Sequence, residues 1–434
     1  MKVGIIGTGY VGITLTCLAD FGHDILLIDK LKQKIDTINN GKSTIFEPGL
    51  DEILKRNVEG KKIIASSDYN SLKDCDVIFL CVGTPSLDDG SIDLSQVKKA
   101  SEELATTLRN IDKYITIVVK STVVPSTTKN IVIPILEKYS GKKAGKDFGV
   151  CMCPEFLKEG TAVYDFLNPD KIVIGGIDEK SRYILEKLFD FYDKEIPRIL
   201  TDPTTAEMIK YAQNAMLASR VSFINEMANI CEKFNVDVND IAYAIGLDSR
   251  IGPKFLRAGI GFGGSCFPKD VKALIAASRS VGTEPILLKS IIEVNEKQPY
   301  RLVELARETI GDLKNKKISI LGLAFKSNTD DIRESRSIPI IHQLIEEGSN
   351  VKLYDPHAME NAKTTFGNSV EYCLSKEECV ANADLCMIAT EWDEFKKLDL
   401  SMIKCPIIDG RRILEPSVVS QNRLTYKGIG WRGN

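Results

Sequence analysis

Short runs of β-branched and aliphatic residues recur through the first half of the chain, at Val3–Ile6, Ile25–Ile28, Val77–Cys81, Ile115–Val119 and Val150–Cys153. Polar, amphipathic segments separate them. That alternation predicts parallel strands joined by crossover helices, a doubly wound α/β unit over residues 1–200.

The rhythm breaks near Asp202-Pro203-Thr204. Thr204 followed three residues later by Glu207 reads as a capping box that opens a helix reaching about Asn235. Met208, Ile209, Ala212, Met216, Leu217, Val221, Phe223, Ile224, Met227 and Ile230 make this stretch apolar on more than one side. A helix of that kind needs partners on every face, so it is expected to join two domains and to pack against a second subunit. About 30 residues at roughly 1.5 Å each would span on the order of 45 Å. Helical character continues to about Gly311, giving a middle domain over residues 201–310. Strand-like runs return at Lys317–Leu321, Val351–Tyr354, Leu385–Ala389 and Pro406–Ile408, a second and smaller α/β domain over residues 311–434. Gly322 follows its opening strand as Gly7-x-Gly9 follows the first, so the two ends read as separate Rossmann-like units.

A length of 434 residues accommodates two or three cores. With 57 basic and 60 acidic residues the net charge is −3, which supplies no whole-chain field for nucleic acid or an acidic membrane, although local phosphate sites remain open. The chain enters its first strand directly after Met1 and shows no apolar run near membrane-spanning length, so a cytoplasmic protein is expected. Eleven scattered cysteines read as reduced thiols and favour the same compartment.

Candidate chemistry begins at Gly7-Thr8-Gly9-Tyr10-Val11-Gly12, directly after the first strand, with Asp29 at the end of the second. Glycines there let backbone N–H groups approach a pyrophosphate at a helix N-terminus, and a carboxylate at Asp29 accepts from ribose hydroxyls while repelling a 2′-phosphate. NAD is the expected cofactor. Thr84 and Thr122 close the next strands, either as hydroxyls facing the ligand crevice or as ordinary turn residues before proline.

The three histidines, His23, His342 and His357, stand beside no catalytic cluster, so a histidine-based hydroxyacid dehydrogenase is disfavoured. Gly261-Phe262-Gly263-Gly264-Ser265-Cys266-Phe267-Pro268-Lys269-Asp270 is more telling. Pro268 suits the first position of a helix, and a cysteine just before a helix N-terminus meets unpaired N–H groups that favour thiolate. Cys266 is therefore the candidate nucleophile. Cys151-x-Cys153 lacks a second pair to complete a metal site and reads as strand packing; no metal is expected. Lys210 and Asn214, four apart, share one helix face and call for a ligand or a cavity there.

The Gly-rich turn, the Pro154-Glu155-Phe156-Leu157-Lys158-Glu159-Gly160 segment, Lys210 with Asn214, and the Cys266 loop occur in an order that resembles the UDP-glucose/GDP-mannose dehydrogenase family. The likeness runs essentially the full chain, through Gly322-Leu323-Ala324-Phe325-Lys326 and Asp409-Gly410-Arg411. It implies oxidation of a nucleotide-sugar C6 alcohol to a carboxylate with two NAD consumed, through a thiohemiacetal and a thioester on Cys266. It assigns Glu159, with Thr122, to the hydrolytic water, Lys210 with Asn214 to the oxyanion, and Asp270 to a water or a shared proton. Near NAD it puts Gly7, Gly9, Tyr10, Val11, Gly12, Asp29, Lys34, Thr84, Thr122, Glu159 and Arg333. Near the substrate it puts Glu155, Phe156, Leu157, Lys158, Glu159, Lys210, Asn214, Gly263, Lys326 and Arg411, together with Phe255, Leu256, Arg257, Ala258 and Gly259. Arg250 resembles a residue that reaches the sugar from a neighbouring subunit of a homodimer. Phe255–Gly259 favours UDP-glucose over UDP-N-acetylmannosamine; another nucleotide sugar, a one-step dehydrogenase and a non-catalytic sugar sensor are the alternatives. Arg336, Arg412 and Ser265 depart from residues common among relatives.

Overall fold

In the computed structural model, which describes residues 1–431, the early apolar runs pair into one eight-stranded sheet. Its strands are β1 (Lys2–Ile6), β2 (Asp24–Ile28), β3 (Ile63–Ser66), β4 (Val77–Leu80), β5 (Thr116–Val119), β6 (Gly149–Met152), β7 (Ile172–Gly176) and β8 (Arg198–Thr201), in the order 3-2-1-4-5-6-7-8. Strands β4 to β7 are buried at every position, as expected where helices cover both faces. Ile6 of β1 lies between Ile28 of β2 and Leu80 of β4, so the strand order reverses beside β1 and a crevice opens at the carboxyl ends, just where Gly7 and Val82 continue the chain.

One pairing departs from the all-parallel expectation. β7 runs antiparallel to β6, with Cys151 opposite Gly176 and Met152 opposite Gly175. The intervening chain carries only one short helix, Ala162–Leu167, and doubles back beyond the end of β6 instead of crossing the sheet.

The helix after β8 spans Pro203–Phe234, but its cap differs from the expected box. Asp202, not Thr204, accepts from the first-turn N–H groups of Thr204 (2.9 Å) and Thr205 (3.2 Å). Pro203 has no N–H and a φ suited to a first helical position, which moves the cap back to the residue before it. Glu207, freed from that role, turns away to the N–H groups of Ser126 (2.6 Å) and Thr128 (2.8 Å). Nor is the helix covered all round within this chain. Tyr211, Ala218, Ile224 and Ala228 are buried, while Met216 is 60% exposed and Phe223 49%.

Contacts divide the chain within that helix, into Met1–Gln213 and a second unit from Asn214 onward. The second unit holds helices Val238–Gly246, Phe267–Ser280 and Ile286–Ile310, and a fully parallel sheet. Its strands are β9 (Lys317–Leu321), β10 (Asn350–Tyr354), β11 (Glu371–Tyr372), β12 (Leu385–Ile388), β13 (Ile407–Asp409) and β14 (Tyr426–Gly428), in the order 11-10-9-12-13-14. One continuous core joins Ile224, Ala228 and Val238 to Leu302, Ile318 and Ile388. Among the described residues no helix is long and apolar enough to cross a membrane.

Candidate active site

In the first unit the chemistry starts from the turn after β1. Gly7 sits at φ +95°, and a Cβ there would meet the Cys81 carbonyl at 2.7 Å; one at Gly12 would fall 1.9 Å from the Gly7 carbonyl. Gly9, the N-cap of the Tyr10–Thr14 helix, has nothing within 4 Å of the corresponding position. The turn is thus closed to side chains on its inner side and open over the helix start, a cradle with room for a pyrophosphate. Asp29 is already shaped for its role: it accepts from Thr8 N–H (3.1 Å), the Thr8 hydroxyl and Leu31 N–H (3.0 Å). Burial alone would push its pKa up, but those donors and nearby Lys34 hold the carboxyl below its ordinary value, so an anion faces the crevice. Val11 is half-buried at the same turn. These residues fit an NAD dinucleotide.

Thr84 and Thr122 do meet, though by backbone: the Thr84 hydroxyl donates to the Thr122 carbonyl at 2.9 Å. Beside them lies the segment after β6. Glu155 and Lys210, 7% and 3% exposed, pair at 2.8 Å. Burial pushes the Glu155 carboxyl up, and the Lys210 ammonium with Leu157 N–H overcomes that and holds it below the usual range. The Phe156 ring carries two ammonium groups near it, Lys171 at 4.4 Å and Lys210 at 5.5 Å from its centroid. Leu157 packs on the sheet core, Lys158 pairs with Asp165 at 2.6 Å, and Glu159 is half-buried between them and Gly160. Lys210 and Asn214, expected to call for a ligand or a cavity, each hold a buried carboxylate: Lys210 has Glu155, and Asn214 has Asp270, as described next.

In the second unit Cys266 is the N-cap of the Phe267–Ser280 helix, which places Pro268 second and not first; its missing N–H is harmless at either position. Cys266 is the one partly exposed thiol among eleven, and burial drives Cys17, Cys75, Cys81 and Cys151 up to about 12. Its sulfur lies 3.7 Å from the Ser265 hydroxyl. One turn along, Asp270 is 2% exposed, holding Asn214 (2.7 Å) and Lys269 (2.6 Å) on its two oxygens. The glycine-rich turn admits neighbouring chain: Gly264 N–H donates to the Arg333 carbonyl at 3.0 Å, and a Cβ at Gly263 would strike the Glu334 carbonyl at 2.3 Å. Arg333 therefore borders the Cys266 loop, with its side chain forked onto Asp331.

A second gathering surrounds Arg411, which donates to the carbonyls of Ala389 (2.8 Å), Gly261 (3.2 Å) and Phe325 (3.3 Å), next to Lys326. Burial and the like charges of Arg257 and Arg336 lower its proton affinity, against the pull of Glu391. Three guanidinium groups converging this way favour an anionic ligand. Leu256, Ala258 and Gly259 bring Arg257 to that place, and Phe255, at φ +64°, turns its ring to 6.2 Å from Phe267. Arg250 joins neither cluster; its side chain is 86% exposed and forked onto Asp248.

Three residues escape a reading by motif. Lys120 is buried, with its ammonium 3.3 Å from the Pro154 carbonyl; Arg336 adds charge beside Arg411; and Glu47, 7% exposed, binds the Glu155–Gly160 segment. Only Arg336 carried a signal, as an unusual residue in its segment. Among the described residues no group of three metal-ligating side chains occurs.

Family models described as those of the UDP-glucose/GDP-mannose dehydrogenase family match three segments: the NAD binding domain over residues 1–193, the central domain over 204–297 and the UDP binding domain over 319–416. A UDP-glucose 6-dehydrogenase of Haloferax volcanii is 46% identical, covering 99% of this chain and 100% of the relative. A UDP-glucose dehydrogenase structure from Pyrobaculum islandicum superposes with a TM-score of 0.93 at 36% identity, over 99% and 98% of the two chains. A UDP-D-ManNAc dehydrogenase from Pyrococcus horikoshii gives 0.88 at 29% identity, over 99% of each.

Proposed function

The chain belongs to the UDP-glucose/GDP-mannose dehydrogenase family and is an NAD-dependent nucleotide-sugar dehydrogenase, and from that premise we propose that it oxidises C6 of UDP-glucose to the carboxylate of UDP-glucuronate through Cys266. The observation that carries this reading is the singular setting of Cys266, partly exposed at a helix N-terminus while the other ten thiols are buried. Its support for UDP-glucose in particular is the Haloferax relative, whose name gives that sugar, together with Phe255–Gly259.

NAD, when bound, supplies the acceptor for each of two hydrides. Gly9 and Gly12 would hold its pyrophosphate by backbone N–H on the turn that Gly7 shapes, with Tyr10, Val11, Asp29, Lys34, Thr84 and Arg333 completing that site. Lys210, with Asn214, carries the negative charge that develops on the C6 oxygen as the alcohol loses its proton. The Cys266 thiolate adds to the aldehyde carbon, forming a C–S bond and a thiohemiacetal that cannot diffuse away; loss of its hydride and hydroxyl proton leaves a thioester. Glu159, with Thr122, takes a proton from the water that attacks the thioester, the C–S bond breaks, and the thiolate returns. Asp270 keeps Asn214 and Lys269 in place and shares proton traffic. Alcohol and water thus become carboxylate with two hydrides and three protons released. Arg257, Lys326 and Arg411 neutralise the nucleotide diphosphate, with Glu155, Phe156, Leu157, Lys158, Phe255, Leu256, Ala258, Gly259 and Gly263 lining the sugar path. Residues 1–200, 201–310 and 311–434 divide this work as cofactor, central and UDP-sugar domains, in a homodimer where Arg250 serves the partner's sugar.

Mass spectrometry of acid-quenched Glu159→Gln mixed with UDP-glucose and NAD tests the proposal. An acyl adduct on Cys266 is expected, since the thioester forms but hydrolyses at least about a hundredfold more slowly. An unmodified Cys266 under turnover, or adduct only with UDP-N-acetylmannosamine, contradicts it.

A further inference from the structure

Glu47 lies in the loop between the Lys32–Asn39 and Leu50–Glu59 helices, far in sequence from Glu159, Lys210 and Cys266. It is nevertheless buried and joined to two elements of the proposed site. The Tyr10 hydroxyl, on the first turn of the cofactor helix, donates to one carboxylate oxygen. Gly160 N–H donates to the same oxygen at 2.8 Å, and Ala162 N–H to the other at 2.7 Å. Gly160 also reaches the Tyr10 hydroxyl at 2.8 Å, so the three groups close a small network. The loop carrying Glu47 rests on the same turn through the Thr44 hydroxyl, 3.4 Å from the Thr8 carbonyl.

The consequence falls on Glu159. Its segment is pinned upstream by Glu155 through Lys210 and Leu157, and downstream by Gly160 on Glu47. Gly160 adopts φ +81°, a conformation that an unanchored loop would readily leave. A buried carboxylate shared by three donors is costly to disrupt, because any donor left unpaired keeps its full desolvation penalty.

We propose that Glu47 is a positioning residue: it registers the Glu155–Gly160 segment against the cofactor turn and so sets where Glu159 presents its carboxylate for hydrolysis of the Cys266 thioester. The proposal rests on the role given to Glu159 above. Hydrogen exchange of the full chain without ligands, combined with rapid-quench mass spectrometry and steady-state kinetics, separates the two. In Glu47→Gln the side-chain amide faces an N–H donor. Exchange at Gly160 and Ala162 is expected to quicken about tenfold or more. With it, kcat should fall by a similar factor and acyl adduct should accumulate on Cys266, while KM for the nucleotide sugar changes less than about threefold. Tyr10→Phe removes one hydroxyl and is expected to shift the same readouts in the same direction by a smaller factor, and it decides the matter if Glu47→Gln does not fold. Unchanged exchange at both amides overturns the proposal, and so does faster exchange with native kcat and no adduct. If the native enzyme and Glu159→Gln form no adduct at all, the Glu159 role fails, and the exchange data alone still decide whether Glu47 holds the segment.

Discussion

The buried carboxylates of this chain owe their charge state to a contest between desolvation and donated hydrogen bonds, and Glu207 shows the contest going the other way from Glu155. Burial pushes the Glu207 carboxyl up to about 7, although Thr128 and Ser126 donate to it. Between the ordinary 4.5 and about 7, the folded chain keeps a proton that the unfolded chain has released. Stability from this group therefore declines as pH rises through that window and levels off above it. Urea unfolding of the native chain and Glu207→Gln at about pH 5 and about pH 8 should show the native protein losing ground to the variant at the higher pH. An identical difference at both values would contradict the assignment. Residues such as Cys266 were legible because their chemistry is written locally, in a glycine turn and a proline that together mark a helix start. Glu47 and Glu207 were not, since their partners lie 113 and 81 residues away and each stands in a segment that reads as an ordinary loop or cap.

Among the elements, the fold was legible mostly where strands are buried on both faces and carry β-branched or aliphatic side chains throughout. β1, β2, β4, β5 and β6 stand out as apolar runs for that reason, and β9, β12 and β13 likewise, whereas β10 shows itself by alternation, with Val351 and Leu353 buried and Lys352 and Tyr354 only partly so. β3, β7, β8, β11 and β14 did not: Ile64 of β3 is 54% exposed, β8 lies at the sheet edge with no fully buried residue, β7 ends in two glycines, and β11 is two residues long. The helices of the second unit are tied by a charge that hydropathy cannot reveal. Glu232, on the Pro203–Phe234 helix and 2% exposed, accepts from Arg301 of the Ile286–Ile310 helix at 2.8 Å and from Gly430 N–H at 2.9 Å. Removing one member of a buried pair strands the other, so Glu232→Ala should cost about 3 kcal/mol in guanidinium unfolding, and Glu232→Gln distinctly less. Native stability in Glu232→Ala would mean that Arg301 is held sufficiently by Glu304 and Glu308 alone.

For the whole molecule, the long helix leaves Met216, Phe223 and Ile230 exposed at seven-residue steps, which drift by only about 20° per step and so form one stripe. Exposed apolar side chains in a continuous row suit a second copy of the chain. In the proposed homodimer, Phe223→Glu should halve the mass seen by light scattering, and a variant that remains dimeric would move the interface elsewhere. If one thiol keeps the sugar through two oxidations, the NADH formed per UDP-glucose consumed, measured for the native chain and for Cys266→Ser, reads it out. Two NADH are expected from the native enzyme, with the variant unable to complete the second oxidation. One NADH per sugar, unchanged by the substitution, would contradict it.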